Sequence, residues 1–149
     1  MTTEKYLKRL EWLENMIISR SEIVEIGRTR AMNIVAVTDK EPVQTSPKDT
    51  MCEIMSNVVD TDKELSRYKA EYKLIMSQVD NLSGAYSSAY LYMRYAKGHN
   101  VNMIARALNK SRSTIYRIHR EAIEEFEYLY GKTYKQAKNY QSLKHSDTL

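Results

Sequence analysis

Ten positions from Met51 to Leu82 follow one another at alternating spacings of three and four: Met51, Ile54, Val58, Thr61, Leu65, Tyr68, Tyr72, Ile75, Val79 and Leu82. A seven-residue repeat held over more than four heptads keeps one stripe along an α-helix, so the stretch is expected to be one long helix with a coiled-coil-like seam. Glu64, Arg67, Lys69, Glu71 and Lys73 alternate in sign beside it, as on a solvated flank. A looser version of the same spacing runs ahead of it through Tyr6, Leu10, Leu13, Ile17, Val24, Ala31 and Ile34. Arg20 and Gly27 interrupt that stripe, and Met16 and Ile23, one position away, are expected to widen its apolar face. Residues 3–38 therefore read as one helix, with two shorter helices broken near Gly27 as the alternative.

Turn formers are too scarce for a sheet with many connections. Four Gly and two Pro in 149 residues make about 4%, against roughly 12% in an average chain. Residues 39–46 lack apolar periodicity and read as a connection. Ser46 is then expected to cap the second helix, with Pro47 in its first turn and Asp49 reaching back. Two helices of similar length with a short connection favour an antiparallel hairpin. The hairpin alone cannot enclose both the seam and the further apolar positions Cys52, Met55, Val59, Leu74 and Met76. Either the C-terminal part packs there or a second copy completes a four-helix bundle. The homodimer is favoured, with Leu65, Tyr68, Tyr72, Ile75 and Val79 as the dimer seam.

The net charge of +4 is unevenly spread. Residues 1–80 carry 12 basic and 14 acidic side chains, whereas residues 81–149 carry 11 and 5. Residues 81–120 contain no acid at all, yet hold Arg94, Lys97, Arg106, Lys110, Arg112, Arg117 and Arg120. Charge of one sign attracts a polyanion and marks the second half as a separate module. The single cysteine, Cys52, excludes an intramolecular disulfide framework and a thiolate zinc cluster. His99, His119 and His145 are too scattered to suggest a metal site, and no cofactor is expected. No apolar run approaches the roughly 18 residues of a membrane span, and the first residues do not open a signal peptide. A cytoplasmic location, with no membrane partner, is expected.

Within the basic half, Ser83 is a candidate cap for a helix reaching Lys97, which Gly98 would end in the left-handed conformation. Residues 100–119, NVNMIARALNKSRSTIYRIH, fit a helix-turn-helix. Asn100 would cap its first helix and Ser111 its second, which Gly131 would stop. Ile104, Ala105 and Leu108 on the first helix face Ile115 and Ile118 on the second. Ala105 is small where the helices cross, and Asn109 is the best residue after Gly for a turn of positive φ. That packing leaves Arg112, Ser113, Tyr116, Arg117 and Arg120 outward as candidate base-reading residues, because guanidinium can hold guanine O6 and N7 together. Arg94, Arg106, Lys110 and Thr114 are the candidate phosphate contacts, which set affinity and register. A basic solvated face on an ordinary helical bundle is the plainer reading.

Other features carry less. Nine of the twelve tyrosines fall between Tyr86 and Tyr140, and half-buried packing explains them better than a stacking platform for single strands. His119 could touch a phosphate, though a helix-surface histidine is more often inert. Cys52, near the seam, reads as a small apolar residue. Glu121, Glu124, Glu125 and Glu127 read as a solvated face, with contact to RNA polymerase as the sharper alternative. No Ser/His/Asp set, phosphate-binding loop or paired catalytic carboxylate is present, so no enzyme is expected.

Leu91-Tyr92-Met93-Arg94-Tyr95, then Gly98, Ile104-Ala105 and Ile115-Tyr116-Arg117-Ile118-His119 resemble the sigma-factor domain that reads the −35 promoter element (region four). The version here is closer to the RinA/ArpU-like regulators of phages and mobile elements in low-G+C Gram-positive bacteria. Val43-Gln44-Thr45-Ser46-Pro47 before a long helix is also similar to that group. The resemblance implies a helical hairpin joined to a sigma-like helix-turn-helix, and a sequence-specific regulator that often activates late genes. Lys110 departs from the pattern, where an apolar or aromatic residue usually stands. Nothing resembles the sigma domains for the −10 element or the polymerase clamp, which argues against a free-standing sigma factor.

The expected architecture is all-α: residues 1–82 a dimerising hairpin, 83–131 a DNA-binding domain and 132–149 a frayed polar tail, with a helical turn around Tyr134 to Tyr140 as the alternative. Expected partners are double-stranded DNA and a second copy, with bacterial RNA polymerase, through the acidic run, only as the alternative to a solvated face. A phage small terminase subunit and a protein-interaction module (an inhibitor or anti-restriction factor) are the alternatives.

Overall fold

The stripe that reads as one helix is one helix: α1 (Thr3–Thr38) runs without a break. It is followed by α2 (Pro47–Asp80), α3 (Ser87–Leu91), a π-helical turn (Tyr92–Ala96), α4 (Val101–Leu108) and α5 (Arg112–Ser146). This computed structural model describes the backbone of residues 1–38 and 47–146, and the side chains of residues 1–34 and 50–134. The connection at 39–46 and the capping side chains of Ser46, Pro47 and Asp49 lie outside the described residues. Among those described there is no strand. The chain is all-α, with a long N-terminal helical region and a C-terminal helix-turn-helix.

Packing divides the chain into two units, Met1–Trp12 with Tyr72–Leu149, and Leu13–Glu71. In the second unit the segments of α1 and α2 lie antiparallel. Arg20 Nε reaches Glu64 Oε2 at 3.3 Å and Arg28 Nη2 reaches Asp62 Oδ2 at 3.8 Å, while Gly27 faces Val58. Leu13, Val24, Ala31, Val58 and Leu65 are buried there. The two interruptions of the α1 stripe thus have separate explanations. Arg20 turns its charge to Glu64. Gly27 breaks nothing: a Cβ there would stand 2.5 Å from Val58 Cγ2, so its absence permits the close approach. Ile23, expected to widen the apolar face, is instead exposed.

In the first unit the opening turns of α1 pack with the end of α2 and with α5. The Tyr6 ring stacks on Tyr134 with centroids 4.7 Å apart and lies 6.0 Å from Phe126. Its hydroxyl donates to Gln78 Oε1 at 2.8 Å, and the Thr3 and Tyr134 hydroxyls are hydrogen-bonded. Leu7 and Leu10 are fully buried. Packing therefore groups the start of α1 with the C-terminal helices.

Two expected helix ends are corrected. Helix α5 does not stop at Gly131 but continues to Ser146, so much of the expected tail is helical. An interior glycine costs a helix about 1 kcal/mol relative to alanine. Burying a large apolar side chain contributes about 1.5–3 kcal/mol, and Tyr134, one turn on, is buried against Thr3 and Tyr6. Ser83 does not cap a helix either. Its N–H and hydroxyl both donate to Glu125 Oε1 at 2.7 Å, and α3 begins only at Ser87. The expected single helix to Lys97 is α3 continued by the π-helical turn, whose Lys97 N–H bonds back to the Tyr92 carbonyl at 3.2 Å. Gly98 then takes φ 68°, the expected left-handed end.

Candidate nucleic-acid interface

The turn between α4 and α5 is built by local chemistry. Asn100 Oδ1 accepts the Met103 N–H at 2.9 Å and caps α4. Asn109 sits at φ 53°, ψ 49°. Its N–H bonds to the Arg106 carbonyl at 3.3 Å, and the Lys110 N–H bonds to the Ala105 carbonyl at 3.0 Å. These two bonds around one left-handed residue form a Schellman motif. Ser111 Oγ accepts the Thr114 N–H at 3.3 Å and starts α5. Ile104, Ile115 and Ile118 are buried, with Ala105 and Leu108 half-buried, as the crossing requires.

Lys110 follows the left-handed residue, where an apolar contact usually seals a Schellman motif. Here its Nζ stands 5.0 Å from the centre of the Tyr86 ring. The aromatic face meets the lysine, which accounts for the departure at this position.

Arg112, Ser113, Tyr116, Arg117 and Arg120 are all exposed. No acid lies in the first turn of α5, so nothing offsets the partial positive charge of its exposed N–H groups. Arg117 Nε is 3.9 Å from Glu121 Oε1, and both side chains are about two-thirds exposed. A pair so hydrated is worth little and exchanges readily. Of the candidate phosphate contacts, Arg94, Arg106 and Lys110 are exposed, while Thr114 is half-buried with its hydroxyl 2.8 Å from Ser111 Oγ. Arg94 Nη1 donates to the His99 carbonyl at 3.1 Å, which anchors the guanidinium at the end of the π-helical turn.

His119 is half-buried rather than free on the surface. Its Nδ1 is hydrogen-bonded with the Tyr90 hydroxyl at 2.7 Å, and its Nε2 faces Glu4 Oε1 at 3.7 Å. Burial holds the imidazole below its ordinary pKa, against the pull of Glu4. Burial likewise raises Tyr90 and pushes Tyr95 up to about 12. Tyr90, Tyr95 and Tyr134 are core residues, and only Tyr86, Tyr116 and Tyr128 are exposed among the described tyrosines. Packing, then, is their main role. In the acidic run, Glu125 anchors Ser83 and Glu121 faces Arg117.

The positions expected to form a dimer seam are largely covered within one chain. Leu65, Ile75 and Val79 are buried, and Tyr68 and Tyr72 half-buried. Cys52, Met55, Val59 and Leu74 are exposed instead. Lys8 of α1 lines the same two depressions as Arg94, a neighbourhood the sequence does not show, because no periodicity reveals which distant helix the start of α1 joins. Among the described residues no group of three His, Cys, Asp or Glu side chains is placed to hold a metal, and no helix is long and apolar enough to cross a membrane.

Residues 85–122 match the helix-turn-helix domain of resolvase. The chain carries a helix-turn-helix DNA-binding domain. No curated protein and no solved structure matches the chain. The match takes in α3, the π-helical turn, α4 and the first turns of α5, so the helix-turn-helix domain holds every candidate base-reading and phosphate residue named from the sequence. Its last matched residue, Ala122, is fully buried, and Phe126 one turn later extends the same core beyond the match.

Proposed function

We propose that the protein is a sequence-specific regulator of transcription that binds double-stranded DNA as a homodimer and acts by binding rather than catalysis. The observation that carries this reading is the outward face of α5, where three arginines, Ser113 and Tyr116 stand exposed behind a fully capped turn. A helix held this way can enter a major groove with its backbone already ordered, and so loses little conformational entropy on docking. Arg112, Arg117 and Arg120 then read guanine edges, with Arg94, Arg106, Lys110 and Thr114 on phosphates. A phage or mobile-element promoter, with activation of late genes, is the setting that the sequence resemblance supports.

Dimerisation is supported by Cys52, Met55 and Val59, which share one exposed face of α2 at spacings of three and four. Selection of bound duplexes from a random pool tests the central reading. Enrichment of one motif is expected, and an unenriched pool would reject sequence-specific recognition. Against the selected site, Arg117→Ala should lose about 1–3 kcal/mol of discrimination. Unchanged discrimination would remove Arg117 from base reading. Lys110→Ala should weaken all sequences alike.

A further inference from the structure

The first helix carries a cation into the surface that surrounds the proposed reading face. Lys8 and Arg94 together line two depressions, of about 170 and about 220 Å³. Tyr116, one of the exposed residues of α5, and His119 line the smaller one, and Gly98 lines the larger. Neither Lys8 nor Arg94 forms an ion pair among the described residues, although Glu4 lines one depression and Glu11 the other. The nearer Glu4 oxygen faces His119 Nε2. Arg94 is tethered to the His99 carbonyl and exposed, so its charge has a fixed place. A lysine side chain is long, flexible and donates in three directions, which suits it to a neighbouring phosphate oxygen.

We propose that Lys8 of the first helix holds a DNA backbone phosphate together with Arg94, beside Tyr116, so that the DNA-binding surface extends beyond the helix-turn-helix. This rests on the reading of the domain as a binder of duplex DNA. Glu4 and Glu11 flank the cations and oppose the same phosphate. The site therefore makes a two-signed demand: removing its cation weakens binding, and removing a flanking carboxylate strengthens it.

The test is a salt series of duplex binding by the intact chain. Each phosphate neutralised contributes a slope of about 0.9 in the logarithmic dependence of affinity on salt. Lys8→Gln should lower that slope by about one and weaken every sequence several-fold. Glu11→Gln should tighten binding, which no loss of folding could imitate. Lys5→Gln, an equal change of net charge on the same helix outside both depressions, should leave the slope nearly intact. A wild-type slope for Lys8→Gln, or an equal fall for Lys5→Gln, would overturn the assignment, as would tight binding of inorganic phosphate alone. Absence of any duplex binding by the unaltered chain would defeat the DNA-binding reading itself. A weakened Arg117→Ala beside an unaffected Lys8→Gln would defeat only the inference.

Discussion

Glu125 ties down Ser83, the residue expected to cap a helix. It accepts the Ser83 N–H and hydroxyl, and those two bonds hold its pKa below the ordinary carboxylate value. A depressed acid stabilises the fold above its unfolded pKa, and that contribution is lost as pH falls through the folded value. Glu125→Gln should therefore lower the thermal midpoint at neutral pH, with the gap to wild type closing in acid. A constant gap across a pH series would show that the charge is irrelevant. His119 runs in the same direction for a different reason. Burial depresses a base, so the unfolded state binds the proton more readily and stability falls as pH drops below about 6.5. Glu4 facing Nε2 offsets part of this, Arg94 adds to it, and Tyr90 holds Nδ1. His119→Gln should flatten the decline in melting temperature between pH 7 and pH 5, and an undiminished decline would assign it to other groups.

At the scale of elements, the helix contact at Gly27 sets a propensity gain against a clash. Alanine in a helix interior is worth about 1 kcal/mol over glycine. Its Cβ would meet Val58 Cγ2 at 2.5 Å, and a β-branched side chain has few rotamers in which to yield. Overpacking costs about 1–3 kcal/mol, so the clash should win and Gly27→Ala should destabilise. In a Val58→Ala background the same change should become neutral or stabilising. Denaturant unfolding of the four-member cycle measures this, and additive effects would dismiss the contact. The α4–α5 turn gives the opposite expectation. Asn109 already tolerates its left-handed backbone, so Asn109→Gly should be mild, whereas Asn109→Val should destabilise the domain markedly. The caps at Asn100 and Ser111 and the turn at Asn109 were all legible in the sequence, because each is decided by residues within three or four positions. The end of α5 was not. Gly131 carries the local signal of a stop, and Tyr134 overrides it through contacts with residues more than 120 positions away.

At the scale of the whole molecule, the proposed function turns on the number of copies, which would set how many helix-turn-helix domains a duplex meets. The face of Cys52, Met55 and Val59 is the candidate surface for a second copy. Light scattering of the intact chain should give twice the chain mass, with Val59→Asp shifting it toward a monomer and weakening duplex binding together. A monomeric wild type, or a Val59→Asp variant that keeps its dimer, would place the interface elsewhere or remove it. A ring-sized mass would favour the small-terminase alternative.

The sequence by itself determined the helical class, the long stripe of α1 and α2, the turn at Asn109 and the outward set on α5. Each follows from periodicity or from hydrogen bonds between near neighbours, which a linear pattern records. Only the tertiary structure decided that Gly27 is a close approach rather than a break. The same holds for Lys110 meeting Tyr86, His119 meeting Tyr90, and the opening turns of α1 joining the C-terminal helices with Lys8 beside Arg94. Those pairings depend on which faces can bury each other in three dimensions, and residues so far apart in the chain leave no spacing between them to read.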